Sequence, residues 1–288
     1  MERVFATYMA RKASRLLGRV ADIPLPRTIL SPLVHAYSIG VGANAREWLE
    51  PSGGWESFGD FFARRLRPES RPICQDRDAL VSPCDGAVRG LGDVDAGDRT
   101  ELCVKGSTYD VGALLGDKEA GRAFRGGGFM VIYLHPRDYH RVHAPADGVL
   151  AAVRHVPGAR YPVNAWAERR VSGVYGKNER MVFHMRTEGG LDLAIVMVAA
   201  FGVGNIETSF MAGAAGDGDV VKERRCMPPA PLTRGDELGA FRLGSTVVLL
   251  WAKGAVEVDP SAAVGLVSMG RRLGRTGART GPKAGSRS

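Results

Sequence analysis

The sequence predicts an α+β fold, with N-terminal helices followed by a mainly antiparallel β body. Three observations carry that prediction. Residues 1 to about 45 mix apolar and basic side chains in a helical pattern. After Pro72 the pattern changes to short, β-rich runs bounded by glycine and turn residues. The 288 residues include 38 glycines, which favours a turn-rich, strand-rich fold over a helical bundle.

In Met1 to Val20, apolar Val4, Phe5, Met9, Leu16 and Leu17 alternate with Arg3, Arg11, Lys12, Arg15 and Arg19. A basic amphipathic helix of this kind lies on an anionic membrane surface or packs on its own domain, and the pattern alone leaves both open. Pro24 and Pro26 end it. Ile29 to Val41 follows, with Pro32 inside it, which predicts a kinked second helix. Ser57 to Leu66 predicts a short helix, with Ser57 as N-cap, Asp60 at N3 and arginines at its end. Strands are predicted over Ala79–Val88, Phe129–Leu134, Gly148–Val156, Met181–Met185, Leu193–Phe201, Glu237–Phe241 and Thr246–Trp251, with a helix over Tyr109–Leu115. The division that results is an amphipathic helical segment over 1–45, a catalytic body over 46–267, and a basic tail over 268–288 whose composition predicts disorder.

The formal charge is +8, and Arg271, Arg272, Arg275, Arg279, Lys283 and Arg287 supply most of the excess with no acid among them. That run reads as a solvated tail or as a contact for anionic lipid or nucleic acid. The four cysteines form no C-x-x-C pair, which fits reduced thiols. The N-terminus lacks the apolar core and small-residue cleavage site of a signal peptide. No run of 18 apolar residues occurs, so no helical bilayer span is expected.

Three segments hold candidate chemistry. In Val81-Ser-Pro-Cys-Asp-Gly-Ala-Val88, Asp85 precedes a glycine between two β-type runs, as a turn aspartate also would. In Tyr133-Leu-His-Pro-Arg-Asp-Tyr-His-Arg-Val-His-Ala-Pro145, three of the six histidines, His135, His140 and His143, fall together at the end of a strand. Histidine moves protons near neutral pH. A metal site would need further ligands, and no cysteine or carboxylate cluster beyond Asp138 completes one, so no metal is expected. In Phe241-Arg-Leu-Gly-Ser-Thr-Val-Val248, an unhindered Gly244-Ser245 bond precedes an apolar strand, and locally it reads equally as a turn. Together the segments supply Asp, His and Ser, the ingredients of an activated hydroxyl. No G-x-S-x-G elbow is present.

These strings resemble the phosphatidylserine decarboxylases of the bacterial type. The resemblance runs from about Ser57 to Lys253. It includes Phe61-Phe-Ala-Arg-Arg-Leu-Arg67, Arg71-Pro-Ile73, Pro83-Cys-Asp-Gly86 and Pro136-Arg-Asp-Tyr-His-Arg-Val-His143. It continues through Val156-Pro-Gly158, Val163-Asn164, Asn178-Glu-Arg180, Val203-Gly-Asn-Ile-Glu-Thr208 and Leu243-Gly-Ser-Thr246. The P-R-D-Y-H-R-V-H and L-G-S-T strings, in that order and spacing, make it specific.

The resemblance implies that Asp85, His143 and Ser245 drive self-cleavage between Gly244 and Ser245, with Asp85 orienting His143. It implies that Ser245 becomes a covalent pyruvoyl group that binds the substrate amine as a Schiff base. His140 matches a histidine tied to substrate binding and decarboxylation. Residues 1–244 and 245–288 would stay together as a non-covalent β/α chain pair. The implied reaction converts phosphatidylserine to phosphatidylethanolamine and CO2, peripherally, at the cytoplasmic face of the cell membrane. The same chemistry on another serine lipid or a soluble amino acid is the alternative. A homo-oligomer is compatible with the sequence, and no nucleic-acid partner is expected.

Overall fold

The computed structural model describes residues 16–97, 100–104, 106–163, 171, 173–201, 206–211, 220–242 and 245–277. Its centre is an eight-stranded sheet. The strands are β1 (Gly86–Asp93), β2 (Gly128–Leu134), β3 (Gly148–Val156), β4 (Arg180–Thr187), β5 (Asp192–Ala199), β6 (Lys222–Leu232), β7 (Ser245–Trp251) and β8 (Gly265–Val267). Their order is β6-β3-β4-β5-β7-β2-β1-β8, and every neighbouring pair is antiparallel. The α+β fold is therefore the observed one.

The central strands are continuous apolar runs rather than alternating ones. Leu193 to Val198 in β5, Met130 to Ile132 in β2 and Val247 to Leu250 in β7 are fully buried. A strand with one wet face would alternate, so both faces of this part of the sheet are covered. Burying such runs supplies most of the fold's stabilisation, at roughly 1.5–3 kcal/mol for each large apolar side chain.

Register places the start of β7. Ser245 lies opposite Leu134, the last residue of β2, and opposite Ala199, the last residue of β5. On the far side of β2, Ala87 lies opposite Tyr133. One end of the sheet thus gathers the beginnings of β1 and β7 with the ends of β2 and β5.

Two three-stranded sheets flank this end. One pairs Ile206–Glu207 and Arg141–His143 with Glu237–Phe241. The other pairs Val256–Val258 and Ala79–Val81 with Arg272–Thr276. The second corrects two expectations. The strand predicted over Ala79–Val88 is two strands in different sheets, because Pro83 lacks an N–H for a ladder and Gly86 has φ +155°. A Cβ on Gly86 would sit 2.5 Å from the Tyr133 carbonyl oxygen, so only glycine lets the chain turn there. The basic tail predicted from 268 is folded through its first part. Arg272–Thr276 pairs on both edges, and its cations find acids: Arg272 bonds Asp76 and Asp259. Residues 278–288 lie outside the described part.

The N-terminal region is helical where described. Residues 16–21 are helical, and the rest of the predicted first helix, 1–15, lies outside the described residues. Helix α1 spans Arg27–Val41 and accommodates Pro32 within one continuous element. Helix α2, Phe58–Phe62, is capped as predicted, with the Ser57 hydroxyl accepting from Asp60 N–H at 3.0 Å. It stops earlier than expected, and Arg65–Leu66 pairs as a short strand with Trp48–Leu49. The predicted Tyr109–Leu115 helix begins only at Val111, after Asp110 caps it. Leu30, Val34 and Phe61 form a second small core with Tyr37, Trp48, Trp55 and Phe58. No described helix is long and apolar enough to cross a membrane.

Candidate active site

The backbone brings the four predicted residues to one end of the large sheet. Asp85 precedes β1, Ser245 opens β7, and the single strand β2 separates them. Two inter-strand spacings put their strands roughly 10 Å apart. His143 ends the Arg141–His143 strand. Its N–H donates to the Pro83 carbonyl at 2.8 Å, which lays the Pro83–Asp85 turn beside it. The His140 carbonyl accepts from Phe241 N–H at 2.9 Å, four residues before Ser245. All four are buried: Asp85 and His143 at 5% and 7% exposure, His140 and Ser245 at zero. Gly244 lies outside the described residues.

Burial sets the protonation states. The His140 Nδ1 lies 2.9 Å from the Asp138 carbonyl. A carbonyl only accepts, so Nδ1 carries the proton and Nε2 carries the lone pair. Desolvation, reinforced by the nearby Arg64 cation, lowers its pKa to about 3. His140 is therefore neutral near pH 7. Its Nε2 is buried with no hydrogen-bond partner among the described residues.

His143 is held similarly. Nδ1 lies 2.7 Å from the Gly235 carbonyl, so it donates there, and Nε2 accepts from the Tyr139 hydroxyl at 2.9 Å. The two rings stack with centroids 5.5 Å apart. Desolvation lowers the His143 pKa, only partly offset by the Gly235 bond and by the Glu237 and Asp85 charges. Gly235 has φ +93°, a conformation that suits glycine and aims its carbonyl at the ring.

The expected Asp85–His143 hydrogen bond is replaced by other partners. Both Asp85 oxygens accept from Arg71, and Oδ1 also accepts from Met269 N–H at 2.8 Å. The Gly235 carbonyl, not Asp85, selects the His143 tautomer. Asp85 acts on that ring through space as a nearby negative charge.

The Ser245 hydroxyl is fully buried and has no hydrogen-bond partner among the described residues, and neither has the adjacent Thr246 hydroxyl. A buried hydroxyl without a partner costs about 1–3 kcal/mol. An unpaired buried group in a native fold calls for a reason, and strain and catalytic chemistry are two of those known. His135, the third histidine of the cluster, is exposed and stands apart.

Several functional neighbours carried no signal of their own in the sequence. Arg71 was visible only within Arg71-Pro-Ile73, and its grip on Asp85 is a contact across 14 residues. Tyr139 and Gly235 become partners of His143 only through tertiary structure. Across β5 from Ser245 lies a buried ionic group. Glu179 accepts from Arg160 at 2.9 Å and faces His155 Nε2 at 3.0 Å; burial pushes its pKa up, and these contacts outweigh it and hold the value at about 2. Its carbonyl accepts from Ala199 N–H, the residue opposite Ser245. The Asn178-Glu-Arg180 string pointed to the group without revealing this role.

The phosphatidylserine decarboxylase family model matches residues 58–275. A phosphatidylserine decarboxylase proenzyme of Saccharophagus degradans is 39% identical over 251 residues, 85% of each chain. One from Brevibacillus brevis is 36% identical over 262 residues, 88% of this chain and 91% of the relative. One from an Anaeromyxobacter species is 40% identical over 229 residues, 76% and 78% of the two chains. This chain belongs to the phosphatidylserine decarboxylase family.

Proposed function

We propose that this chain is a proenzyme that cuts itself between Gly244 and Ser245 and then decarboxylates phosphatidylserine to phosphatidylethanolamine and CO2. The observation that carries this reading is the buried, unpartnered Ser245 hydroxyl at the sheet end where Asp85, His140 and His143 gather.

In self-cleavage, the Tyr139 hydroxyl turns away from His143 Nε2, which then takes the Ser245 hydroxyl proton, and the serine oxygen attacks the Gly244 carbonyl. The proton passes from His143 to the peptide nitrogen, the C–N bond breaks to leave a free amine on Ser245, and an ester links Gly244 to the Ser245 oxygen. Loss of the Ser245 Cα proton expels the Gly244 carboxylate and leaves a dehydroalanine at position 245. Water then replaces its nitrogen, which leaves as ammonia, and a pyruvoyl group remains. The hydroxyl oxygen that is lost has no hydrogen-bond partner to forfeit among the described residues.

When formed, the pyruvoyl group supplies a carbonyl for the substrate amine and a sink for the electrons released with CO2. The protein's own residues hold and move protons around it. His140 presents its Nε2 lone pair as a proton acceptor, and a proton accepted there can be returned to the carbon that has lost its carboxylate. Because His140 starts neutral, it must gain that proton before it can give it.

Cleavage would leave residues 1–244 and 245–288 as a non-covalent pair. The small chain would contribute β7, which is hydrogen-bonded to β5 on one side and β2 on the other. A strand inside the sheet on both edges stays in place once its peptide link is cut.

The lipid substrate and a peripheral place at the cytoplasmic membrane face rest on the N-terminal region. Leu16, Leu17, Val20, Ile23, Ile29, Leu33 and Ile39 are all at least 45% exposed, and residues 1–20 carry five cations. Beside them, a cavity of about 610 Å³ mixes Leu30, Val34, Trp48 and Trp55 with Arg27 and Arg67. Glu50, 3.7 Å from Arg27, and Glu69 also line it, and an apolar wall beside charges of both signs suits an amphiphile whose head carries both.

The test is CO2 release from purified protein given phosphatidylserine, free serine or free tryptophan, beside a denaturing gel. Two fragments and release from the lipid are expected. Release from a free amino acid alone would end the lipid reading.

A further inference from the structure

Arg64 is 2% exposed and, among the described residues, has no carboxylate partner in hydrogen-bond range. Its Nη2 donates to the Arg137 carbonyl at 2.9 Å and to the Asp138 carbonyl at 3.0 Å. Its guanidinium lies over the Phe61 and Trp48 rings at 5.0 and 5.4 Å. Nε and Nη1 are buried without hydrogen-bond partners among the described residues. Desolvation lowers its pKa to about 10, so it is still a cation near pH 7. Keeping a desolvated guanidinium for two backbone contacts is costly if its task is packing alone.

The Asp138 carbonyl accepts twice, from Arg64 Nη2 and from His140 Nδ1. It is thus the shared atom between a buried cation and the histidine assigned above to decarboxylation. The residues around Arg64 hold the same segment. Phe62 packs against the His140 ring with centroids 4.2 Å apart and the planes tilted by 53°, and the Ala63 carbonyl accepts from Arg141 Nε at 2.9 Å. Three successive residues, Phe62, Ala63 and Arg64, clasp the turn that carries His140. Around the ring itself stand the Phe62 ring, the Asp138 carbonyl and the Arg64 charge.

We infer that Arg64 is a positioning residue for decarboxylation: by holding the Asp138 carbonyl it fixes the His140 tautomer and leaves the lone pair on Nε2. A planar fork reaches two successive carbonyls from one nitrogen, and an ammonium cannot copy its orientation. The cation also opposes protonation of the ring, so His140 starts each cycle as an acceptor. Self-cleavage uses Ser245 and His143, whose tautomer is set by Gly235, and it does not depend on this contact. The inference rests on the role given to His140 above.

The experiment compares Arg64→Met, Arg64→Lys and His140→Ala with the wild-type chain, reading fragment formation on a denaturing gel and CO2 release from phosphatidylserine in detergent micelles across pH. Both Arg64 variants should still form two fragments. Arg64→Met should lose about 10- to 100-fold in kcat with little change in KM, as expected for a misplaced proton-handling group. Its acid limb should move to higher pH, because removing a cation makes His140 easier to protonate. Arg64→Lys keeps the charge and should keep the limb near its wild-type position, with a reduced rate. Processed Arg64→Met with wild-type kcat and an unmoved limb would overturn the inference. So would loss of processing, thermal stability and decarboxylation together in both Arg64 variants, which marks a structural role only. If processed His140→Ala decarboxylates normally, the role of His140 fails instead; if it is inactive while Arg64→Met is normal, only the Arg64 step fails.

Discussion

Arg71 holds Asp85 through both carboxylate oxygens. Nε lies 2.9 Å from Oδ1 and 3.0 Å from Oδ2, and Nη2 lies 2.6 Å from Oδ2. The same Nη2 reaches Glu47 at 2.8 Å, so the segment after helix α1 is tied to the turn before β1. Paired contacts of this kind fix a carboxylate's plane as well as its place. Asp85 is thereby a fixed negative charge near His143 rather than its hydrogen-bonding partner.

Arg71→Met should cost about 3 kcal/mol in urea unfolding at pH 7, because it leaves Asp85 buried with one backbone donor. Adding Asp85→Asn should recover part of that loss, since the uncompensated charge goes. A double variant as unstable as the sum of the two singles would show that the pair is not coupled.

Tyr139→Phe removes the donor to His143 Nε2 and leaves that nitrogen buried without it. A loss of about 1–3 kcal/mol is expected. The bond favours the neutral ring, so its removal raises the His143 pKa. The acid limb of self-cleavage should move to higher pH, followed as the rate of fragment formation after rapid dilution from denaturant. An unmoved limb would place the base elsewhere.

Stability should fall as pH drops below about 6.5, the ordinary histidine value. His140 is lowered to about 3 in the folded state, and His143 and His184 are lowered too, all chiefly by burial. Between those values the unfolded chain binds more protons than the folded one, so stability rises with pH. His140 alone contributes about 2 kcal/mol of change between pH 6.5 and 5. Urea midpoints measured at both pH values check this, and His140→Phe should flatten the slope. A midpoint independent of pH would contradict the buried, neutral assignment.

Ile29→Glu with Leu33→Glu should weaken sedimentation with phosphatidylglycerol vesicles and leave fragment formation intact. Both residues are exposed on helix α1, at 55% and 45%, away from the Leu30 and Val34 contacts. Unchanged sedimentation would remove this face from the membrane contact.

The fold was legible where one physical signal dominates. The apolar runs of β2, β5 and β7 announced buried strands, and Ser57 with Asp60 announced a capped helix. The break at Ser82–Asp85 was hidden because Ala79–Val81 and Ala87–Val88 have the same β-type composition, and composition does not say which sheet a strand joins. Arg272–Thr276 looked like tail because its cations stand alone in sequence, while their acids, Asp76 and Asp259, come from elsewhere in the chain. The candidate site divided the same way. Asp85, His140, His143 and Ser245 stood out as residue types within specific strings. Their partners did not, because a backbone carbonyl such as Gly235 leaves no mark in the side-chain pattern.

Intact-mass measurement of the mature protein, with the mass of each fragment, tests the central claim most directly. A large fragment ending at Gly244 and a small one beginning with a pyruvoyl group at position 245 are predicted, and Ser245→Ala should stay a single inactive chain. A decarboxylating protein with one uncut chain and an intact Ser245 would contradict the account.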